Sequence, residues 1–389
     1  MSRREHLQKL ILRRLLFFGR ATRPELVALT RCRAATVFEA IDALKSSGMV
    51  VEPERRGKKT GRRAPELECN RECAGFLGLE LKRDGVIGVV IDSCGDAAES
   101  HEERFAVTNA DEARAGIERC VAELRRNCGD KWARIKGVGL ADPWIVDIDR
   151  KVAVRAPGMT GWDNLAVGDW LSRQCGVPAG VWPSQLVKVR MEYVTRLPEA
   201  PESLFHLDTG RAVAGGFIKG GQPFVGASGQ AMEIGHLVLD QNGGVCSCGR
   251  RGCLETLIGE QNIVKLARRA LDDGIATELA AEDLSLRRFV ELAHRDKAAR
   301  LIAEEISEHI GDALAAVVTL LNPATIVVSG ELAGLGDLLT DTIRRTLERN
   351  CFADAVRKLK VELSTLEPED TARGAAMMMR DRIFGIDEQ

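Results

Sequence analysis

No stretch of the 389 residues approaches the ~20 consecutive apolar residues that a membrane-spanning helix requires. The apolar run after Arg14 covers only residues 15–18, and the chain shows no pattern of a secretory signal peptide. These absences predict a soluble, cytoplasmic protein that does not contact membranes. A chain of this length is expected to hold about two or three domains with a sizeable core.

Net charge is also low, −2 for the whole chain, but the charges are unevenly distributed. Residues 1–70 contain 16 Lys and Arg against 8 Asp and Glu, a net of +8, which leaves −10 for the remainder. A basic N-terminal region on an acidic body is the pattern expected when only that region contacts a polyanion. Because charged surfaces are common, this pattern has to be supported by motifs.

Three of the eleven cysteines lie in one short run, residues 233–255, which reads EIGHLVLDQNGGVCSCGRRGCLE. The candidate metal ligands in it are His236, Cys246, Cys248 and Cys253. One imidazole and three thiolates fill the tetrahedral shell of Zn²⁺ without leaving a position for water, which predicts a structural zinc site. The glycines of the run allow the backbone to wrap closely around a small ion.

Two other interpretations of this run stay open. The cysteines could be a chance group of buried residues, since free cysteine is common in protein cores. A disulfide is disfavoured because Cys246 and Cys248 are too close in sequence to pair easily. An odd number of cysteines also fits a reducing compartment.

The basic region predicts three helices. Apolar residues at helical spacing indicate a first helix over residues 3–18, with Gly19 as its stop. Thr22 and Glu25 predict a capping box that opens a second helix, which extends to about residue 29. After a turn over residues 30–33, a third helix is expected to end at Gly48.

This order of helices, followed by the apolar residues 49–51, resembles a winged helix-turn-helix, in which the start of the third helix enters the major groove of DNA. We expect DNA contacts from Thr22 and from the start of the third helix, at Arg33, Ala34, Ala35, Thr36 and Glu39. A basic wing over residues 54–65 would lie against phosphate or a minor groove. Its cationic residues are Arg55, Arg56, Lys58, Lys59, Arg62 and Arg63. The alternative is a three-helix packing module with a solvated charged loop.

The motif Glu233-Ile234-Gly235-His236, with Cys246-Ser247-Cys248-Gly249 and Gly252-Cys253-Leu254-Glu255 after it, resembles the signature of the ROK family of repressors and sugar kinases. The resemblance implies that His236 and the three cysteines hold structural zinc, while Glu233, His236 and Glu255 face a sugar. It also implies an α/β fold. A DNA-binding winged helix-turn-helix domain would cover residues 1–70, and a two-lobed, actin-like (ribonuclease H-like) ROK sensor domain residues 71–389, with a lobe boundary near 195–203.

The chain departs from ROK kinases at the positions expected to bind nucleotide and to catalyse phosphoryl transfer. Lys82 and Arg83 stand where a phosphate loop would need glycine, and residues 211–213 interrupt a second glycine-rich segment. Pro183 and Ser184 replace the family's Asn-Asp pair. A serine hydroxyl is a far weaker proton acceptor than the carboxylate that acts there as general base.

The remainder of the body is predicted from its apolar patterns. We expect strands at residues 75–81, 86–92 and 324–330, a long helix at 300–321 and a closing helix at 371–384. Gly158 stands where the family has a sugar-contacting asparagine. Trp144 and Trp182 either stack on a sugar or belong to the core, and core is the commoner role of a buried tryptophan.

Together these features predict a DNA-binding transcriptional regulator, a repressor that responds to a sugar or a sugar-derived effector, and not an enzyme. Its expected partners are double-stranded operator DNA and the effector, and its expected state is a homodimer or homotetramer. Two alternatives stay open. One is a sugar kinase with an added DNA-binding head, and the other is a regulator that no longer senses a sugar.

Overall fold

The computed structural model describes residues 3–53, 64–210, 212–280 and 284–387. These residues form two units, and the C-terminal segment belongs to the first. Unit 1 comprises Met1–Val187, Leu197–Glu199 and Glu367–Gln389, and unit 2 comprises Lys188–Arg196 and Ala200–Leu366. The predicted domain limits, 1–70 and 71–389, stay a prediction. Among the described helices, none is both long enough and apolar enough to cross a bilayer.

The N-terminal part of unit 1, here called the head, combines three helices with a small sheet. Its elements are α1 (Arg3–Phe18), β1 (Ala21–Thr22), α2 (Arg23–Thr30), α3 (Ala34–Ser46), β2 (Val50–Val51) and β3 (Glu66–Cys69). Strand β3 pairs antiparallel with both β1 and β2. The three predicted helices are confirmed. The predicted wing residues, Arg55, Arg56, Lys58, Lys59, Arg62 and Arg63, lie outside the described residues.

Local hydrogen bonds and one apolar core hold the head together. The Glu25 N–H donates to the Thr22 hydroxyl at 3.4 Å, and the Thr22 N–H donates to the Glu25 carboxylate at 2.7 Å, which confirms the predicted capping box. Ile11, Leu26 and Ile41 are fully buried, because the helical period places them on the inner faces of α1, α2 and α3. The same core contains Ile386, so the end of the chain packs into the head.

The rest of unit 1 is built on a five-stranded mixed sheet. Its elements are β4 (Gly75–Lys82), β5 (Gly85–Asp92), β6 (Ala97–Arg104), α4 (Ala110–Cys128), β7 (Ile135–Asp142), β8 (Ile145–Asp147), β9 (Val152–Arg155), α5 (Val167–Cys175), β10 (Ala179–Pro183) and α6 (Ser184–Val194), whose last turns belong to unit 2. Strands β4, β5 and β6 form an antiparallel meander, β7 runs parallel to β4, and β10 runs parallel to β7.

Unit 2 repeats this sheet with the same connectivity. Its elements are β11 (Ser203–Thr209), β12 (Val213–Lys219), β13 (Gln222–Pro223), α7 (Leu254–Ile258), α8 (Glu260–Asp272), α9 (Leu286–Ala293), α10 (Lys297–Leu321), β14 (Thr325–Ser329), α11 (Asp337–Asn350), α12 (Ala353–Val356) and β15 (Lys360–Leu363). The meander β11-β12-β13 is extended by the parallel strands β14 and β15. The predicted long helix and the strand after it are therefore confirmed as α10 and β14.

The last helix, α13 (Asp370–Phe384), belongs to unit 1 and packs on β4, β5 and β7. Glycines in the strands permit this contact. A Cβ atom on Gly78 would lie 1.8 Å from the Ala372 carbonyl oxygen, and one on Gly139 would lie 2.1 Å from that of Ala375. At its far end, the Phe384 ring meets Phe76 edge to face at 5.5 Å. The backbone of α13 therefore contacts the backbone of the strands directly, and the end of the helix reaches the head.

Substitution of Gly78 by alanine tests this close contact. The added methyl group collides with backbone that cannot rotate away, so we expect Gly78→Ala to lower stability by about 3 kcal/mol, the upper part of the range for overpacked cores. In the control Gly137→Ala, the nearest atoms to the new Cβ are in side chains and not in backbone: Met379 at 2.8 Å and Ile383 at 3.5 Å. That variant should lose about 1 kcal/mol or less. Thermal unfolding of the two proteins provides the comparison, and equal losses would contradict the close-contact interpretation.

Candidate functional site

The four predicted metal ligands come together in unit 2. The ligand atoms of His236, Cys246, Cys248 and Cys253 all lie within 4.8 Å of one another. The Sγ atom of Cys246 is 3.5 Å from Nδ1 of His236, and those of Cys248 and Cys253 are 3.7 Å apart. Around a tetrahedral Zn²⁺ with ordinary bond lengths, such nitrogen–sulfur and sulfur–sulfur edges measure about 3.6 and 3.8 Å. These two edges match those of a four-coordinate site, so the cluster could hold a metal ion.

The backbone around this cluster is held by short hydrogen bonds and by a required glycine. Cys246 N–H donates to the Arg250 carbonyl at 2.8 Å, and Gly249 N–H donates to that of Cys246 at 2.9 Å. Gly252 has a φ of +66°, and a Cβ atom there would lie 1.4 Å from the Asp240 carbonyl oxygen. No residue with a side chain fits at position 252 without moving the loop that carries the cysteines.

The thiols of the cluster differ in acidity. Hydrogen bonds from the backbone and side chain of Arg250 lower the pKa of Cys248 to about 6, whereas burial raises that of Cys253 to about 12. Without a cation, Cys248 is therefore the more acidic of these two thiols. Only a bound cation compensates three adjacent thiolates, so metal binding here releases protons.

The three predicted ligand-binding residues also come together on unit 2. Glu233 precedes the short turn Ile234–His236, and Glu255 lies in the first turn of α7, where its Oε2 accepts from the Val213 N–H at 3.3 Å. Partial desolvation and the charge of Glu255 raise the pKa of the Glu233 carboxyl group, while His236 opposes the shift. His236 also belongs to the candidate metal cluster, and Glu255 follows Cys253 by two residues. The loop that carries the four candidate metal ligands therefore also positions the three predicted ligand-binding residues.

Within unit 1, a buried carboxyl group was missed by sequence reasoning. Asp142 ends β7 and is fully buried, and its two carboxylate oxygens accept from the Trp144 N–H at 3.0 Å and from Nε1 of Trp162 at 2.9 Å. Burial raises its pKa to about 6 against these hydrogen bonds. The sequence signal that could have identified Asp142 is an aspartate at the C-terminal end of an apolar strand. Trp144 and Trp182 are both buried, as predicted for core residues.

The position expected for a catalytic base holds a buried hydroxyl group. Ser184 begins α6, is 6% exposed, and its Oγ atom has no hydrogen-bond partner among the described residues. Directly before it, Pro183 ends β10 and has no N–H group to donate. Gly158, at the place of the family's sugar-contacting asparagine, has a φ of +78° and carries no side-chain donor or acceptor.

The second segment expected to bind phosphate, after β11, uses its polar groups internally. The Gly210 N–H donates to Oδ1 of Asp208 at 3.1 Å, and the Thr209 hydroxyl donates to the Ser329 carbonyl at 2.6 Å. The other Asp208 oxygen lies 2.5 Å from the Lys188 ammonium group. These donors already have acceptors within unit 2, and a phosphate would have to displace them. Arg211 lies outside the described residues.

The start of α3 presents most of the predicted DNA contacts to solvent. Arg33, Ala34, Ala35 and Glu39 are exposed and Thr36 is half-buried. Arg33 forms no ion pair with any residue of the described ranges. Thr22 differs, because its hydroxyl donates to the Glu25 carboxylate at 2.9 Å and is used by the helix cap.

One neighbouring group on this surface was not predicted. The guanidinium of Arg23 lies 5.2 Å from the centre of the exposed Phe38 ring and 2.7 Å from the Asp42 carboxylate. A basic residue at the N-terminus of α2 was the signal for it.

The sequence and the fold are similar to those of known proteins. A putative xylose repressor of Caldicellulosiruptor sp. (strain Rt8B.4) is 24% identical over 378 residues, covering 95% of this chain and 94% of the repressor. A solved ROK family transcriptional regulator, a homologue of the E. coli Mlc protein, superposes with a TM-score of 0.86 at 20% identity and covers 99% of this chain and 98% of its own.

A solved ROK family glucokinase from Streptomyces griseus, in complex with glucose and AMPPNP, has a TM-score of 0.68 at 22% identity. The match covers all of the glucokinase but 79% of this chain. The family model, described as ROK family, matches residues 76–382, which begin just after the head. Since that match spans well over half of the sequence, this chain belongs to the ROK family.

Proposed function

We propose that this protein is a DNA-binding transcriptional regulator, a repressor that responds to a sugar or a sugar-derived effector and has no sugar kinase activity. The observation that carries the proposal is the head, in which α2 and α3 form a helix-turn-helix with the start of α3 exposed. The net charge of +8 over residues 1–70 supports binding to a polyanion. Since the proposed operator is part of the genome, the protein is proposed to act in the cytoplasm.

The absence of kinase activity is supported by the groups that phosphoryl transfer would need. Ser184 stands at the place of the general base, and a neutral hydroxyl group is too weak a proton acceptor, compared with a carboxylate, to take up the proton of a sugar hydroxyl. Thr209 and Gly210 donate to protein acceptors. Lys82 and Arg83 carry bulky side chains where a phosphate would need close backbone approach.

The metal is proposed to be zinc, held by His236, Cys246, Cys248 and Cys253 with no open position, so its role is structural. It shapes the loop that carries Glu233, His236 and Glu255, and these three residues are proposed to bind the hydroxyl groups of the effector. Effector binding would then change the spacing of two heads in a homodimer or homotetramer, moving them out of register with successive major grooves of a palindromic operator.

DNA binding is tested by selecting genomic fragments with the purified protein and measuring affinity for an enriched fragment at several salt concentrations. We expect affinity to fall steeply with salt. Arg33→Ala should weaken binding by about 1–2 kcal/mol, roughly tenfold, through the loss of one phosphate or base contact. The control Arg104→Ala removes another exposed arginine, on β6, and should bind like the unchanged protein. Enrichment of no fragment would contradict the proposal.

The effector and the missing kinase activity are tested on one panel of sugars and sugar phosphates. We expect at least one compound to raise the melting temperature and release DNA, and none to yield ADP from ATP in a coupled assay. Glu255→Gln should weaken effector binding by about 1–3 kcal/mol, because a charged acceptor is lost, whereas the exposed control Glu348→Gln should not. ADP formation would favour a kinase with an added head, and a panel without any effect would favour a regulator that no longer senses a sugar.

Zinc is tested by elemental analysis of the purified chain, which should contain one equivalent. Cys248→Ser should lose most of it and lower the melting temperature, because metal binding contributes directly to the folding of such loops. Cys351→Ser, which removes a cysteine remote from the cluster in sequence, should retain both metal and stability. Metal-free protein with an unchanged melting temperature would refute the structural role.

A further inference from the structure

Two cysteines outside the metal cluster meet where the head joins the sheet of unit 1. Cys69 is the last residue of β3 and is 5% exposed, and Cys94 lies in the turn between β5 and β6 and is half-buried. The Cys94 Sγ atom is 3.4 Å from the Cys69 carbonyl oxygen, and the thiols of the two residues interact electrostatically. Both cysteines are free.

A buried guanidinium group points at the same turn. Arg380 of α13 is fully buried, and its Nε and Nη2 atoms donate to Oδ1 of Asp381 at 2.9 and 2.8 Å. Its Nη1 atom is buried without an acceptor among the residues that the structure describes, and it faces Gly95, where an added Cβ would lie 2.9 Å from it. A buried donor without an acceptor lowers stability. A negative charge on the neighbouring sulfur would compensate it.

These surroundings favour a thiolate at Cys94. The hydrogen bond with Cys69 lowers the pKa of Cys94, and the charges of Arg71 and Arg380 add to this against burial and Asp92. The same hydrogen bond raises the pKa of Cys69. Elsewhere, burial raises the pKa of Cys120 to about 12 and that of Cys175 to about 11. Since the thiolate is the nucleophilic form of cysteine, Cys94 is set apart from these two residues.

We propose that Cys94 and Cys69 form a modification site for hydroperoxides, with Cys94 as the attacking and Cys69 as the resolving cysteine. The Cys94 thiolate attacks one peroxide oxygen, the O–O bond breaks, and the departing hydroxide takes up a proton to leave as water. The resulting sulfenic acid is attacked by the Cys69 sulfur, which displaces a second water and forms the disulfide. Two thiols lose two electrons in total, and hydrogen peroxide is reduced to two molecules of water.

This disulfide would join the head to the sheet behind it. Cys69 pairs with Val50 across β2 and β3, and Cys94 lies in the β5–β6 turn, so the bond closes a loop over residues 70–93. Oxidation therefore restrains β3, the last strand of the head, by bonding it to the β5–β6 turn of the sheet. The inference does not depend on which nucleic acid or effector the protein binds.

The test uses the full-length, metal-loaded, reduced protein and substoichiometric hydrogen peroxide, followed by alkylation of free thiols and peptide mass spectrometry. We expect a Cys69–Cys94 disulfide as the first product. Cys94→Ser and Cys69→Ser should abolish it, while Cys73→Ser, which removes the nearest other cysteine in the turn after β3, and Cys351→Ser should retain it. Before oxidation, iodoacetamide should modify Cys94 roughly tenfold faster than Cys351.

Two further measurements distinguish an activated cysteine pair from two thiols that are merely close together. Arg71→Gln, at an exposed position, should slow the alkylation of Cys94 without preventing the disulfide, and oxidation should slow amide hydrogen exchange in residues 66–69. A Cys73–Cys94 bond, sulfinic acid at Cys94 without a disulfide, or equal alkylation of Cys94 and Cys351 would overturn the proposal. So would unchanged exchange in the oxidised protein.

Discussion

The contact between α13 and the five-stranded sheet of unit 1 is the constraint on which the arrangement of that unit depends. It exists because Gly78 and Gly139 leave no side chain between the strands and the helix backbone. At this distance Phe384, the last residue of α13, and Ile386 reach the core of the head. The same contact holds the buried guanidinium of Arg380 against the turn that carries Cys94. Head, sheet and C-terminus of unit 1 are therefore one packed structure.

In unit 2 a second constraint acts on the loop of the metal cluster. Gly252 lies so close to the Asp240 carbonyl oxygen that only glycine fits there. The ligand atoms of His236 and the three cysteines all lie within 4.8 Å of one another, close enough to bind one metal ion. Glu255 follows directly on this loop. Adjacent thiolates repel one another unless a cation lies between them. If the cluster closes only around a metal ion, the positions of Glu233, His236 and Glu255 depend on whether that ion is bound.

The proposed absence of kinase activity is not explained by missing segments of the fold. The segments that correspond to nucleotide loops are present and well formed, but Thr209 and Gly210 donate to protein acceptors, and Ser184 is a buried hydroxyl. The internal acceptors of Thr209 and Gly210 stabilise the fold without a ligand, because a donor that already has an acceptor is satisfied. The Ser184 hydroxyl has no hydrogen-bond partner among the described residues. In the proposed function the same architecture serves recognition instead of phosphoryl transfer, with the head as its output.

Much of this protein follows from the sequence alone: the helices of the head, the capping box at Thr22, α10, β14 and the spacing of the metal ligands. These features depend on residues close together in the chain, where helical periodicity and short loops leave few alternatives. Tertiary structure alone decided the role of Asp142 with Trp162, the use of Thr209 by Ser329, and the meeting of Cys69 and Cys94. Each of these pairs joins residues 20 or more positions apart, and which side chains meet across such distances depends on how sheets and helices pack.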